Sequence, residues 1–230
     1  MGMCREWLHY FVKHTIDYWF HLFVLLKLSS LVNLSITLKG KTMRNILVMS
    51  VIAALSGVAF ANEPGKSETG IDYNKIDINY QSFEVSGVTF TGYQTNGAFL
   101  ITDNIYALGS YASLTHSGST SIESSNLGLG YRMGIAANTD AFTTLAYSSM
   151  TQSSTKTGYA VALGVRSKIA DPVDVIGSYT YTSLGSNYFN SFNVGMNYKF
   201  TDMFYATAGY TSSSGTASIT QYNLGVGIKF

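Results

Sequence analysis

Five basic residues, Arg132, Arg166, Lys168, Lys199 and Lys229, and three carboxylates, Asp103, Asp140 and Asp174, are the groups of this 230-residue chain whose types and spacing could do chemistry together. Four of the cations close copies of one short pattern: Leu127-Gly-Leu-Gly-Tyr-Arg132, Val161-Ala-Leu-Gly-Val-Arg166, Val194-Gly-Met-Asn-Tyr-Lys199 and Leu224-Gly-Val-Gly-Ile-Lys229. They fall 34, 33 and 30 positions apart, and the aspartates stand at the starts of the neighbouring segments. If the copies are strands, whose alternate side chains share a face, the charges reach one level of one interior. Such a ring could act as an anion-selective constriction. It could equally neutralise itself in ion pairs across a low-dielectric space. The near balance of signs favours pairing.

A second constellation is hydrolytic. His116 as general base, Ser117 or Ser121 as nucleophile and Glu123 as orienter have the residue types of a triad. All lie in one short Ser/Thr-rich stretch, where a hydroxyl beside a histidine is expected by chance, so the chain reads as no enzyme. From Asn62 onward there is no cysteine and His116 is the sole histidine, which leaves no metal-ligand cluster. No cofactor is expected. Over the same stretch carboxylates outnumber cations, so no nucleic-acid partner is indicated.

The elements that must position these groups are strands. Only 12% of the chain is charged, against about a quarter in ordinary soluble domains, and it carries 22 Gly and 17 Tyr but two Pro. From Asn62 to Phe230 no apolar run is long enough for a membrane helix. Residues 222 to 230 instead alternate: Tyr222, Leu224, Val226, Ile228 and Phe230 on one face, Asn223, Gly225, Gly227 and Lys229 on the other. Rising strands at Ile105–Leu114, Ala141–Met150, Val173–Thr182 and Phe204–Ser212 place Tyr111, Tyr147, Tyr179 and Tyr210 at equivalent outward positions. With an early strand at Ile76–Phe83 and a second from Thr91 to Ile101, the count is ten, eight being the alternative. Strands of about nine to eleven residues suffice to cross a bilayer when tilted. Short turns (Ala136–Asp140, Ala170–Pro172, Thr201–Asp202) alternate with longer Ser/Thr-rich loops (Thr115–Ser124, Thr151–Thr157, Ser183–Asn187, Ser213–Ala217), the asymmetry of an outer-membrane barrel. Thr102-Asp-Asn104 is expected to turn through the local side-chain bonds of Asp and Asn. Inside, Gly128, Gly164, Gly195 and Gly225 would face larger groups such as Tyr106, Phe142, Ile176 and Tyr205, which fills a narrow lumen. The fold class is all-β: a closed antiparallel transmembrane β-barrel.

Ahead of it, Met43-Arg44-Asn45, an apolar run to Leu55 and the small-x-small pair Ala59 and Ala61 read as a signal peptide over residues 43–61, cut after Ala61. Residues 1–42 read as an extension upstream of the true start, 62–74 as a flexible periplasmic lead and 75–230 as the barrel domain.

On the terminal aromatic strand, the repeated hairpin and the signal peptide, the chain resembles the OmpX/OmpA-like superfamily of small Gram-negative outer-membrane barrels. Gly92-Tyr93, Thr102-Asp-Asn-Ile105, Leu127–Arg132, Thr139-Asp140, Gly158-Tyr159 and Gly164-Val-Arg166 are similar to the xanthomonad barrels described as activators of plant immunity. The resemblance implies residence in the cell outer membrane, reached through the periplasm, and insertion by the barrel-assembly machinery, with Tyr222, Leu224, Val226, Ile228 and Phe230 as the assembly signal. It implies contact with outer-membrane lipid and lipopolysaccharide, a monomer, and a structural or surface-interaction role. A narrow ion or solute channel is the alternative, with an adhesin or an outer-membrane hydrolase behind it.

Overall fold

The computed structural model describes residues 69–116 and 120–230. Ten strands follow in order: β1 (Lys75–Val85), β2 (Val88–Leu100), β3 (Ile105–His116), β4 (Thr120–Ala136), β5 (Thr139–Thr151), β6 (Thr155–Ala170), β7 (Val173–Leu184), β8 (Asn187–Lys199), β9 (Phe204–Gly215) and β10 (Ile219–Lys229). Each pairs antiparallel with its sequence neighbours, and β10 returns to β1 along its whole length, from Lys75 opposite Lys229 to Val85 opposite Ile219. The ring is closed and ten-stranded, which excludes the eight-strand count. The leader calls, residues 1–42, the signal peptide over 43–61 and its cleavage residues Ala59 and Ala61, lie outside the described residues, as does Ser117.

Two expectations are corrected. The long Ser/Thr-rich loops are not loops. Thr115 and His116 end β3, Thr120 to Ser124 begin β4, and Thr155 to Thr157 begin β6, so the connections at that end span two or three residues. The strands correspondingly run from 11 residues in β1 and β10 to 17 in β4. Ser and Thr suit this because a β-branched or small hydroxyl side chain can hold a ladder and still face water. The Ser86-Gly87 hairpin has both residues at positive φ, 51° and 79°, the geometry of the two-residue turn whose twist matches the flanking strands. The second correction concerns the Thr102-Asp-Asn104 turn, where it is the Thr102 hydroxyl, not Asp or Asn, that accepts from the backbone NH of Asn104 (3.3 Å) and of Ile105 (3.0 Å). Thr201 repeats the device, accepting from Met203 and Phe204.

The wall is apolar outside and polar inside. Leu224 is 67% exposed and Leu163 62%, and Tyr80, Tyr93, Leu129, Leu145, Tyr147, Tyr179, Val194 and Val226 share that outer face. A soluble protein would hide such a surface; a closed ring that satisfies its own backbone can present it to lipid. The interior follows the large-against-small expectation. A Cβ at Gly130 would overlap the Tyr106 ring and one at Gly227 the Tyr205 ring. At Gly164 it would lie 2.5 Å from Phe142 Cζ and 2.7 Å from Ser178 Cβ.

The face assignment is testable at neighbouring positions. Leu163→Arg should cost about 2–4 kcal/mol in lipid while Leu163→Met is tolerated. At Gly164, Met and Arg should be comparably damaging, about 1–3 kcal/mol or more from overpacking. Reversible urea unfolding in vesicles measures all four, and equal costs for Arg and Met at position 163 would reverse the assignment.

Candidate functional site: the charged layer and its internal segment

The interior charge concentrates at the end of the barrel that carries both the start of β1 and the end of β10, hereafter the terminal end. Alternation along β4 to β7 brings Arg132, Asp140, Arg166 and Asp174 inward, and register sets cation against carboxylate across adjacent strands. Arg132 Nη1 lies 3.2 Å from Asp140 Oδ2, and Arg166 Nη2 lies 2.8 Å from Asp174 Oδ2. Asp140 is 0% and Arg166 2% exposed. Lys229 approaches the same layer, its Nζ 3.7 Å from Asp174 and 3.9 Å from Asp72. The pairing alternative for these residues is therefore the observed one.

Three members of the sequence-derived cluster sit elsewhere. Asp103 contributes only its backbone carbonyl, which accepts from Arg132 Nε at 2.8 Å, while the residue itself is exposed in the turn. Lys168 and Lys199 reach back to turn carboxylates, Asp171 at 2.9 Å and Asp202 at 2.8 Å, both fully exposed. The hydrogen bonds from those lysines hold the Asp171 and Asp202 carboxyls below the usual range. Each has an aspartate three positions on in the following turn, and an ion pair formed there in water carries less desolvation cost than one in the lumen.

Sequence reasoning missed a larger set. β1 lines the lumen with Lys75, Asp77, Asn79 and Gln81. Asp77 accepts from Tyr205 Oη (2.9 Å), Asn96 Nδ2 (2.7 Å) and Asn79 Nδ2 (2.5 Å). Lys75 and Lys229 face each other in the seam, and each stands 5.7 Å from the centroid of the fully buried Tyr205 ring, whose face offsets their repulsion. The signal was available in Ile76-Asp-Ile-Asn-Tyr-Gln81, which alternates apolar and polar, but no repeat copy accompanies it.

The segment ahead of β1 also departs from the flexible lead expected over 62–74. Its described part, residues 69–74, lies inside the terminal end, with Ile71 1% and Tyr73 5% exposed. Thr69 donates to Asp140 Oδ1 (2.7 Å), and Arg166 Nη1 donates to the Asp72 carbonyl (2.6 Å). The Tyr73 ring stands between the two guanidiniums, 5.0 Å from Arg132 and 5.3 Å from Arg166, and packs at 4.7 Å on Tyr106. Burial raises the Tyr73 phenol above its ordinary range, so it stays neutral. Asn74 fastens the segment to the wall, accepting from Leu100 NH through its side chain and from Phe230 NH through its carbonyl.

Of the residues in the hydrolytic constellation, Ser117 lies outside the described residues. His116 Nδ1 lies 2.7 Å from the Thr89 carbonyl and its ring packs on Phe90, inside the barrel at the far end. In β4, Ile122 joins Phe90 in an inward apolar cluster, and Glu123, on the alternate position beside it, is buried as well. The residues of the assembly-signal pattern are placed as the alternation requires, with Tyr222, Leu224, Val226 and Ile228 on the outer face.

No family model matches the chain, and no curated protein does. Solved structures do match. The KdgM porin is 13% identical, with 67% of this chain and 99% of that one covered at a TM-score of 0.42. The N-terminal β-barrel domain of Pseudomonas aeruginosa OprF is 15% identical, covering 70% and 100% at 0.34. A protein from the de novo design of transmembrane β-barrels is 8% identical, covering 70% and 98% at 0.38. Likeness at this distance extends to the barrel fold alone.

The burial of the charged layer gives an asymmetric expectation. Arg132→Met should destabilise the barrel by about 3–5 kcal/mol because it strands the buried Asp140 carboxylate, and Asp140→Asn in the same chain should recover part of the loss. Lys199→Met, at the watery rim, should leave unfolding in urea unchanged.

Proposed function

We propose that the chain is a small integral barrel of the Gram-negative outer membrane with a closed lumen, acting as a structural or surface-interaction element. The observation that carries this reading is the buried layer at the terminal end. Arg132, Asp140, Arg166, Asp174, Tyr205, Ile71 and Tyr73 fill the cross-section there with paired or packed groups. Ten strands stand near the small barrels whose interiors are filled by side chains, well below the sixteen-strand range that leaves an aqueous channel. The apolar outer face and its tyrosines meet the acyl chains and headgroups of outer-membrane lipid and lipopolysaccharide. The short connections at the far end disfavour an adhesin built on long loops. The finer likeness to the xanthomonad barrels rests on the sequence patterns given above and would specify a surface role.

Purified protein in planar bilayers should show no steady conductance, and a stable open pore would favour the channel reading instead. Insertion has its own test. Removal of Phe230 should reduce the yield of folded, membrane-embedded barrel far more than removal of residues 62–70, because the terminal aromatic serves both the interfacial girdle and recognition by the assembly machinery. Equal yields would contradict that role.

A further inference from the structure

The outer face of β8 reads Tyr188, Asn190, Phe192, Val194, Met196 and Tyr198, so one carboxamide interrupts an otherwise apolar row. No other Asn or Gln points outward from the ten strands, because each of the rest falls on an inward position. Polar groups at lipid-facing positions are rare and tend to carry function. Register surrounds this one with rings. Tyr181 stands opposite it on β7, Tyr179 stands opposite Phe192 one step along, and Tyr159 on β6 approaches Tyr181 with ring centroids 6.2 Å apart. All four rings are exposed on the outer face, as is Tyr188. β7 places tyrosine at two successive outward positions, where β5 and β9 follow Tyr147 and Tyr210 with serine. The Tyr179 hydroxyl donates to Asn190 Oδ1 at 2.7 Å, which orients the carboxamide and leaves both N–H donors of its Nδ2 without a hydrogen bond among the described residues. The patch carries no charged residue.

We propose that this patch binds the sugar headgroup of lipopolysaccharide through its ring faces and the Asn190 amide, and not through phosphate. The inference rests on the outer-membrane reading. The terminal end receives the chain from the periplasm, so the patch, near the opposite hairpins, lies in the outer leaflet at headgroup height. Beyond it the outward residues are hydroxyls, Thr157 on β6 and Ser183 on β7, and on its other side Leu163 and Val194 face the acyl chains. A sugar ring presents an apolar C–H face, which suits the negative face of an aromatic ring, beside hydroxyl oxygens that accept from an amide N–H. Exposed tyrosines and one pair of amide donors match both parts of that surface. A phosphate asks instead for Lys or Arg, and the patch supplies neither.

Deep-rough lipopolysaccharide, which keeps lipid A and a minimal core, is titrated onto the detergent-solubilised barrel, and bound lipid is counted by native mass spectrometry. Asn190→Leu should weaken binding about tenfold, the worth of one or two hydrogen bonds. Tyr181→Leu should weaken it comparably, while Tyr93→Leu, an outward tyrosine across the ring on β2, should leave it unchanged. For the unsubstituted chain, raised potassium chloride or removal of the lipid A phosphates should preserve binding, and phosphatidylglycerol should not compete. Folding of each variant is checked by heat-dependent gel mobility. A folded Asn190→Leu or Tyr181→Leu chain with full affinity would overturn the site. Loss of binding in high salt or on dephosphorylation would overturn it too, and these arms decide the matter if neither variant folds. A dimer of the unsubstituted chain that Asn190→Leu dissociates in the absence of lipopolysaccharide would give the patch to a second copy and sink the proposal. All of these outcomes leave the outer-membrane reading standing; absence of the chain from the outer-membrane fraction is the separate result that removes that reading and the site with it.

Discussion

Backbone closure is the constraint on which everything else in this protein depends. A strand at the edge of a sheet in hydrocarbon leaves NH and carbonyl groups unpaired, each at a cost of several kcal/mol, so β10 must find β1. It does so without a break, and the seam joins residues from the two ends of the barrel sequence, Lys75 opposite Lys229 and Tyr80 opposite Leu224. Once the ring is closed, the pleat decides the rest: odd and even positions become lipid and lumen. A slip of one residue anywhere would exchange the two.

The interior meets a second constraint, the cost of enclosing charge. Taking arginines and aspartates from water is expensive, and the barrel offsets this by register rather than by exclusion. Arg132 with Asp140 and Arg166 with Asp174 are adjacent-strand pairs separated by eight residues, so each short hairpin carries its own neutralisation. The lysines at the ends of β6 and β8 take the other solution and bend toward water, where Asp171 and Asp202 meet them. Lys229 instead joins the buried layer, 3.7 Å from Asp174 and beside the Tyr205 ring. One repeated sequence position therefore has two outcomes, set by depth.

The segment before β1 ties these constraints together. Asn74 bridges β2 and the C-terminal residue across the seam, Asp72 and Tyr73 cover the guanidiniums, and Thr69 supplies a donor to Asp140. A carboxylate buried with one cationic and one hydroxyl donor is far better satisfied than with the ion pair alone. Residues outside the sheet thus supply hydrogen-bond partners to groups on β2, β5 and β6.

How much of this was legible beforehand follows from which interactions are local. Alternation in Tyr222 to Phe230, the repeated apolar-Gly-apolar pattern ending in a cation, and the aspartates that open the following strands are local, and from them came the all-β barrel, the ten strands and the two faces; which cation meets which carboxylate, Arg132 with Asp140 and Arg166 with Asp174, came from the structure. Strand ends were misjudged because Ser and Thr serve loops and water-facing strands alike, and only the ladder partner tells them apart: Thr120 opposite His116, Thr155 opposite Thr151. Nothing local distinguishes the depth of Lys199 from that of Lys229. The roles of Asp77, Tyr205 and residues 69–74 were decided by the tertiary structure alone, because their partners are brought together by ring closure: Tyr205 lies 128 positions from Asp77, and Arg166 lies 94 from Asp72. A sequence states what each face of a strand can tolerate, but which groups meet across a closed lumen is fixed only when the last strand finds the first.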